Sequence, residues 1–294
     1  MATLREVRSR ISGVQKTQKI TRAMKMVAAA KLRRRQMAVV AARPYARKMK
    51  ELLATLSTAP EAAVADLLIT REVAAVALVV VTSDRGFCGA FNGNLLKAAV
   101  AHVGSLPEEG GAGKPLRLFC IGKKGADFFT KRGYAVAARH VGVFTPLEFP
   151  RAQSIAREVV EGYRRGDFDR VDLVYNEFKS VAQQRIMIEQ FLPVPPEDTP
   201  GATRRAIDYI YEPGRREILF SLIPRHLDFQ LWKALLESSA AEEGARMAAM
   251  ENATENASEM ITGLRLQYNK ARQAAITKEL LEVVSGAEAL LQAE

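Results

Sequence analysis

The chain has 294 residues, 48% of them hydrophobic, a net charge of +10 and two cysteines, enough for one ordinary domain plus an extended part, or for two domains. Cys88 and Cys120 are too few for a disulfide scaffold and point to a reducing compartment, while His102, His140 and His226 lie far apart, with no ligand spacing to the cysteines, so no metal site is expected. The charged opening Met1 to Arg10 gives no signal peptide, and the longest apolar run, Val73 to Val81, falls far short of the roughly 20 residues that cross a bilayer.

These features describe a soluble intracellular protein, able to sit against a membrane only through partners. The charge is unevenly placed. Residues 1–50 hold fifteen Lys and Arg against the single acid Glu6, so the remainder of the chain is net −4. A basic segment joined to a mildly acidic body points to a specific acidic partner for that segment rather than to general nucleic-acid affinity.

Met1 to about Pro60 reads as one long basic helix. Thr3 and Glu6 have the spacing of a capping box. Steps of three and four then fall on Leu4, Val7, Ile11, Val14, Gln18, Thr21, Lys25, Ala28, Leu32, Arg35, Val39, Ala42, Ala46, Met49, Leu53 and Leu56. All but Gln18, Thr21, Lys25 and Arg35 are apolar, the period of a coiled-coil seam. At about 1.5 Å per residue such a helix is on the order of 80 Å long. Pro44 is expected to kink or loosen it near Ala41 and Ala42. The four polar seam positions are expected to weaken pairing where the charge peaks.

After Pro60, strands and helices alternate. Strands are expected at Ala75–Val81, Leu116–Ile121, Tyr134–Val141, Val171–Phe178 and Ile186–Leu192, with helices at Asn92–Val103, Ala126–Lys131 and Ala152–Arg165. Leu106–Pro115 and Pro193–Pro200 read as loops and Gly122–Gly125 as a turn. The alternation implies a small, mostly parallel sheet flanked by helices. From about Arg216 a second long helical tract runs to the C-terminus, placing the domains at 1–60, 61–215 and 216–294. Ile261, Leu264, Tyr268 and Ala271 share one stripe; Ile276, Leu280, Val283, Ala287 and Leu290 share a second, after a phase slip. The small residues between Ser238 and Ala257 permit close helix approach, and Gly244, Gly263 and Gly286 read as tight contacts or flexible points.

The two terminal helices satisfy both seams by pairing antiparallel. The fold class is therefore α/β, a long antiparallel coiled coil of N- and C-terminal helices with a small Rossmann-like domain between them. The second helix is the longer, so roughly its last fifteen to twenty residues, ~20 Å or more, should outrun the partner. That tip carries Leu280, Leu281, Val283, Val284, Leu290 and Leu291, an arc too broad for a solvated helix. It requires an apolar socket, unless it folds back or self-associates.

No motif supplies chemistry. Gly86, Gly89 and Gly93 follow a strand, but their spacing is not that of a dinucleotide fingerprint and no acid ends the next strand. Gly110 to Lys114 precedes a strand rather than following one, and Pro115 stands where a phosphate loop needs a hydroxyl. Glu242 and Glu243 read as part of a polar helix face. Catalytic, cofactor-binding and metal residues are all expected to be absent. The strongest functional signal is the basic band Lys16, Lys19, Arg22, Lys25, Lys31, Arg33, Arg34 and Arg35: a solvated face, or a surface for an acidic partner. Tyr45 is the sole aromatic residue in this helix, which argues against base stacking.

Four blocks then become specific. Lys19-Ile20-Thr21-Arg22-Ala23-Met24-Lys25-Met26-Val27-Ala28-Ala29-Ala30-Lys31, Thr82 to Gly89, Asp208 to Pro213, and Tyr268 to Leu280 with Glu282 to Ala287 resemble signatures of the γ subunits of F-type ATP synthases. The resemblance implies a central-stalk rotor whose coiled coil enters the hexamer of α and β subunits, while the α/β domain rests on the c-ring and binds ε. It implies contacts with β through Arg22, Lys25, Met26, Arg33, Arg34, Arg35, Arg272, Gln273, Thr277 and Glu279. It further implies a sleeve bearing of Leu280, Val283, Val284, Ala287, Leu290 and Leu291, and a c-ring foot of Tyr209, Tyr211 and Glu212. With no transit peptide or cysteine-bearing insertion, the expected setting is the cytoplasmic face of a bacterial inner membrane, without thiol regulation. No nucleic-acid partner is implied. The alternative is a coiled-coil scaffold for an acidic protein.

Overall fold

The computed structural model describes residues 3–57, 65–105, 116–181, 183–195 and 211–291, with the backbone alone for residues 57 and 288–291. Among these the order is α1 (Leu4–Ser57), β1 (Val76–Val81), α2 (Phe91–Ser105), β2 (Leu116–Ile121), α3 (Lys123–Lys131), β3 (Val136–His140), α4 (Phe149–Arg165), β4 (Arg170–Phe178), β5 (Gln184–Leu192) and α5 (Arg215–Leu291). The expected loop at Leu106–Pro115 and the later part of that at Pro193–Pro200 lie outside the described residues. The chain forms two compact units, one of Ala28–Arg246 and one of Met1–Val27 with Met247–Glu294.

In the first unit the five strands lie in the order β3-β2-β1-β4-β5. The first four are parallel, and β5 closes the sheet as an antiparallel edge. β1 is buried along its whole length, the reason it reads as an unbroken apolar run instead of an alternating one. Its side chains still divide by parity. Leu78 and Val80 join Leu118, Cys120 and Val174 beneath α2 and α3. Ala77, Val79 and Val81 join Leu173 and Tyr175 in a larger core with Ile155 and Val159 of α4, Leu53 and Leu56 of α1, and Leu227 and Leu231 of α5.

One local feature differs from the expected reading. Gly122–Gly125 is not a turn, because α3 already begins at Lys123. Its first amides are satisfied from a distant loop: Asp84 Oδ1 accepts Lys123 N–H, Ser83 O accepts Lys124 N–H and Thr82 Oγ1 accepts Gly125 N–H. Helix starts need such acceptors, and here they come from the loop that follows β1. Gly122, at φ 96°, allows the approach; a Cβ there would overlap the Thr82 carbonyl. The helix α1 includes Pro44 within its span. The Tyr45 ring packs against Phe229 of α5, tilted by 60° with centroids 4.6 Å apart, and Arg43 pairs with Glu237 at 3.5 Å, so packing supports the stretch in which proline removes a backbone bond.

The second unit is a helix pair. Thr3 and Glu6 form the expected capping box, with N···O distances of 2.9 and 3.3 Å. Thr21 bonds Thr254 at 2.8 Å, and Lys25 bonds Glu251 at 2.5 Å. Moving four residues along α1 moves three back along α5, so the segments are antiparallel. Val7, Met250, Ala257 and Ile261 are buried between them, with Ile11, Val14, Leu264, Tyr268 and Ala271 half-buried.

Candidate partner-contact surfaces

The seam expected in α1 is real. Every one of its positions from Leu4 to Leu56 is buried or half-buried. Three of its polar positions meet polar groups: Thr21 meets Thr254, Lys25 meets Glu251, and Arg35 donates to the Phe144 carbonyl at 3.0 Å. Buried polar groups are tolerable when paired. The Lys25–Glu251 pair remains about 40% exposed, which keeps its contribution at the ~1 kcal/mol level or below.

Around that pair the basic band is open. Lys16, Lys19 and Arg22 are exposed. Lys19, Arg22 and Lys25 line a cavity of about 410 Å³ with Gln18, Glu251, Thr254 and Glu255. Beside it, Ile20, Met26 and Val27 are each more than half exposed, so the cationic surface is interleaved with apolar side chains. Farther along α1, in the sheet-bearing unit, Arg33 and Arg34 are exposed, whereas Arg35 is half-buried and committed to Phe144. Burial lowers the Arg35 pKa below its usual value, with Glu243 and Glu242 pulling the other way.

Glu242 and Glu243 correct the expected polar helix face, since both are buried. Arg246, also buried, bonds Glu242, pairs with Glu243 at 2.9 Å and donates to the Gly86 carbonyl at 3.4 Å. Lys31 lies 3.5 Å from Glu243. Burial opposes the charge on Arg246, but Glu242 and Glu243 outweigh it and raise the pKa above the ordinary arginine value. Sequence reasoning missed this cluster. Its one local signal was the i,i+4 and i,i+3 spacing of Glu242 and Glu243 to Arg246.

The C-terminal part of α5 separates as expected. From Arg272 to Ala287 only Ala275 is even half-buried. Arg272, Gln273, Thr277 and Glu279 are exposed, as are Leu280, Leu281, Val283 and Val284, at 51–71%. Ala287 is exposed as well, while the side chains of Leu290 and Leu291 lie outside the described residues. At the other candidate surface Glu212 is exposed and Tyr211 half-buried, with the Arg215 guanidinium 4.8 Å above its ring; Tyr209 lies outside the described residues.

Neither cysteine resembles a reactive thiol. Both are buried and free, and burial pushes Cys120 up to about 12. Among the described residues, no group of three His, Cys, Asp or Glu could hold a metal ion, and no helix is long and apolar enough to cross a membrane.

The sequence pattern of the ATP synthase family matches residues 3–290. ATP synthase gamma chains from Chlorobaculum tepidum and Chlorobaculum parvum are 51% and 50% identical over 99% of this chain and the whole of each relative. The chain belongs to the ATP synthase γ-chain family. Solved structures agree on the fold. A central stalk/c-ring structure of Tetrahymena thermophila mitochondrial ATP synthase matches at 26% identity and TM-score 0.57, over 80% of this chain and 99% of its own. A chain in the Euglena gracilis mitochondrial enzyme matches at TM-score 0.67 and 21% identity, over 98% and 94%. Within the γ-chain framework, the signature block Thr82 to Gly89 is the loop at the carboxyl end of β1, and Tyr268 to Leu280 spans the transition from paired to bare helix.

Proposed function

We propose that this chain is the rotor shaft of an F-type ATP synthase and transmits torque through side-chain contacts, making and breaking no bonds itself. One observation carries the reading. α5 runs on past the last side chain it buries against α1, and there presents leucine and valine to solvent. A monomeric protein gains nothing from such a surface, whereas a bearing needs it: apolar contact lacks directional bonds and so holds no single angle strongly. Leu280, Val283, Val284 and Ala287, with Leu290 and Leu291, are the bearing residues in this reading.

In the same reading Arg22, Lys25, Met26, Arg33, Arg34, Arg272, Gln273, Thr277 and Glu279 face the β subunits. Long-range charge attraction supplies contact there without a deep lock. The shaft is asymmetric, so three β subunits around it meet different faces and are biased toward different conformations. Tyr209, Tyr211 and Glu212 form the foot on the c-ring, ε binds the α/β unit, and the assembly is peripheral to the cytoplasmic face of a bacterial membrane.

The test reverses the exposed charges only, Arg22→Glu, Arg33→Glu and Arg34→Glu together. Co-purification with two nucleotide-binding subunits in a 3:3:1 ratio is expected for the unaltered chain. The triple variant should unfold at the same temperature yet lose ATP-driven proton pumping. Full pumping by the variant refutes the contact role.

A further inference from the structure

Doubly wound α/β folds leave a ligand crevice at the carboxyl edge of the sheet, where the strand order reverses. Here the reversal lies between β1 and β4, and α5 fills the place. Glu237 accepts the Phe178 amide at 3.2 Å, and Ala241 packs with Cys88 and Phe91. Gly244 lies so near Phe178 that a Cβ would stand 3.2 Å from Cε2.

Two loops leave the same edge, residues 82–90 after β1 and 141–148 after β3. Asp84 of the first ties them together by accepting the Gly142 amide at 3.1 Å. Each loop is also gripped by one arginine from one long helix. Arg246 of α5 reaches the Gly86 carbonyl through Nε and Nη2, both at 3.4 Å, and Arg35 of α1 reaches the Phe144 carbonyl at 3.0 Å. Glu242 and Glu243 hold Arg246 and attract Arg35. Two buried carboxylates thus fix one guanidinium and bias the other, so that both point at backbone.

We propose that Arg35 and Arg246 are positioning residues, a two-armed strap that binds the carboxyl-edge loops of the sheet to both long helices, so that sheet and helices of this unit turn as one body. The mechanical half of this proposal rests on the rotor reading above; the strap itself does not.

Amide hydrogen exchange on the full-length chain tests the strap. Arg246→Met should speed exchange in residues 82–90 roughly tenfold, the effect of losing a hydrogen bond to a charged group, with a smaller rise in 141–148. Arg35→Met should show the reverse order. A third variant, Glu242→Gln with Glu243→Gln and Arg246→Met, leaves no buried charge unpaired at Arg246. It should unfold near the wild-type temperature while its 82–90 amides stay fast, which a purely structural role for the cluster does not allow. Wild-type exchange in either single variant, or restored protection in the triple variant, overturns the strap; should Arg246→Met fail to fold, the triple variant decides. In membrane vesicles carrying the assembled complex, the triple variant should hydrolyse ATP but lose pumping. Loosened loops with intact pumping overturn the mechanical half alone. If the unaltered chain supports no pumping, the rotor reading fails and the exchange result still judges the strap.

Discussion

Between Glu237 and Arg246, α5 buries three carboxylates, two serines and a guanidinium. Between Ile276 and Ala287 the same helix leaves Leu280, Leu281, Val283 and Val284 in solvent. Polarity and burial are inverted along one helix, and each half explains the other. Charge enters the first stretch because partners from α1 and the β1–α2 loop wait for it there. Apolar surface persists in the second because no described residue of its unit covers it. Leaving such side chains in water forgoes about 1.5–3 kcal/mol each, a stabilisation that remains available to a partner.

Arg246→Ala should produce the largest effect on the chain itself, about 3–5 kcal/mol lost in urea unfolding, because it strands Glu242 and Glu243 without their main cation. A loss below about 1 kcal/mol would mean the cluster is wet, and the contrast with the tip would collapse.

A smaller effect should follow pH. His140 on the edge strand β3 lies 3.3 Å from Glu158, without the alignment of a hydrogen bond. Burial lowers its pKa below 6.5, with Glu158 opposing. The unfolded chain therefore takes up a proton that the folded chain resists, so stability is full above pH 6.5 and declines as pH falls below that value toward the folded pKa. His140→Gln should flatten this slope in unfolding curves between about pH 5 and 7; an unchanged slope assigns it to other groups.

The smallest effect on the chain belongs to the tip. Leu280→Ser with Val283→Ser should shift stability by no more than about 0.5 kcal/mol, as at other exposed positions, while weakening capture by the hexamer. Clear destabilisation of the isolated chain would show that the tip is covered from within.

Much of this molecule was legible before folding was considered. The steps of three and four in α1 mark buried or half-buried positions from end to end, and β2 runs from Leu116 to Ile121 as its apolar pattern indicates. The bare tip followed from the greater length of the second helical tract and the apolar arc of Leu280, Leu281, Val283 and Val284 at its end. Thr254, opposite Thr21, was also within reach, because Met250, Thr254, Ala257 and Ile261 continue the α5 stripe backward at the same spacing.

Other features had no local signature. The first turn of α3 is capped by Thr82, Ser83 and Asp84, about forty residues upstream. Glu242 and Glu243 carry the residue types of a solvated face and become interior only because Arg246, Lys31 and the Gly86 loop converge on them. By itself, then, the sequence determined the helices, the strands and the apolar tip, since the 3.6- and 2-residue periods of burial are properties of neighbouring residues. Tertiary structure alone decided the order of the strands and which charges are paired and sealed from water. Those outcomes depend on groups far apart in the chain, and the desolvation cost of a charge is set by whatever surrounds it after folding.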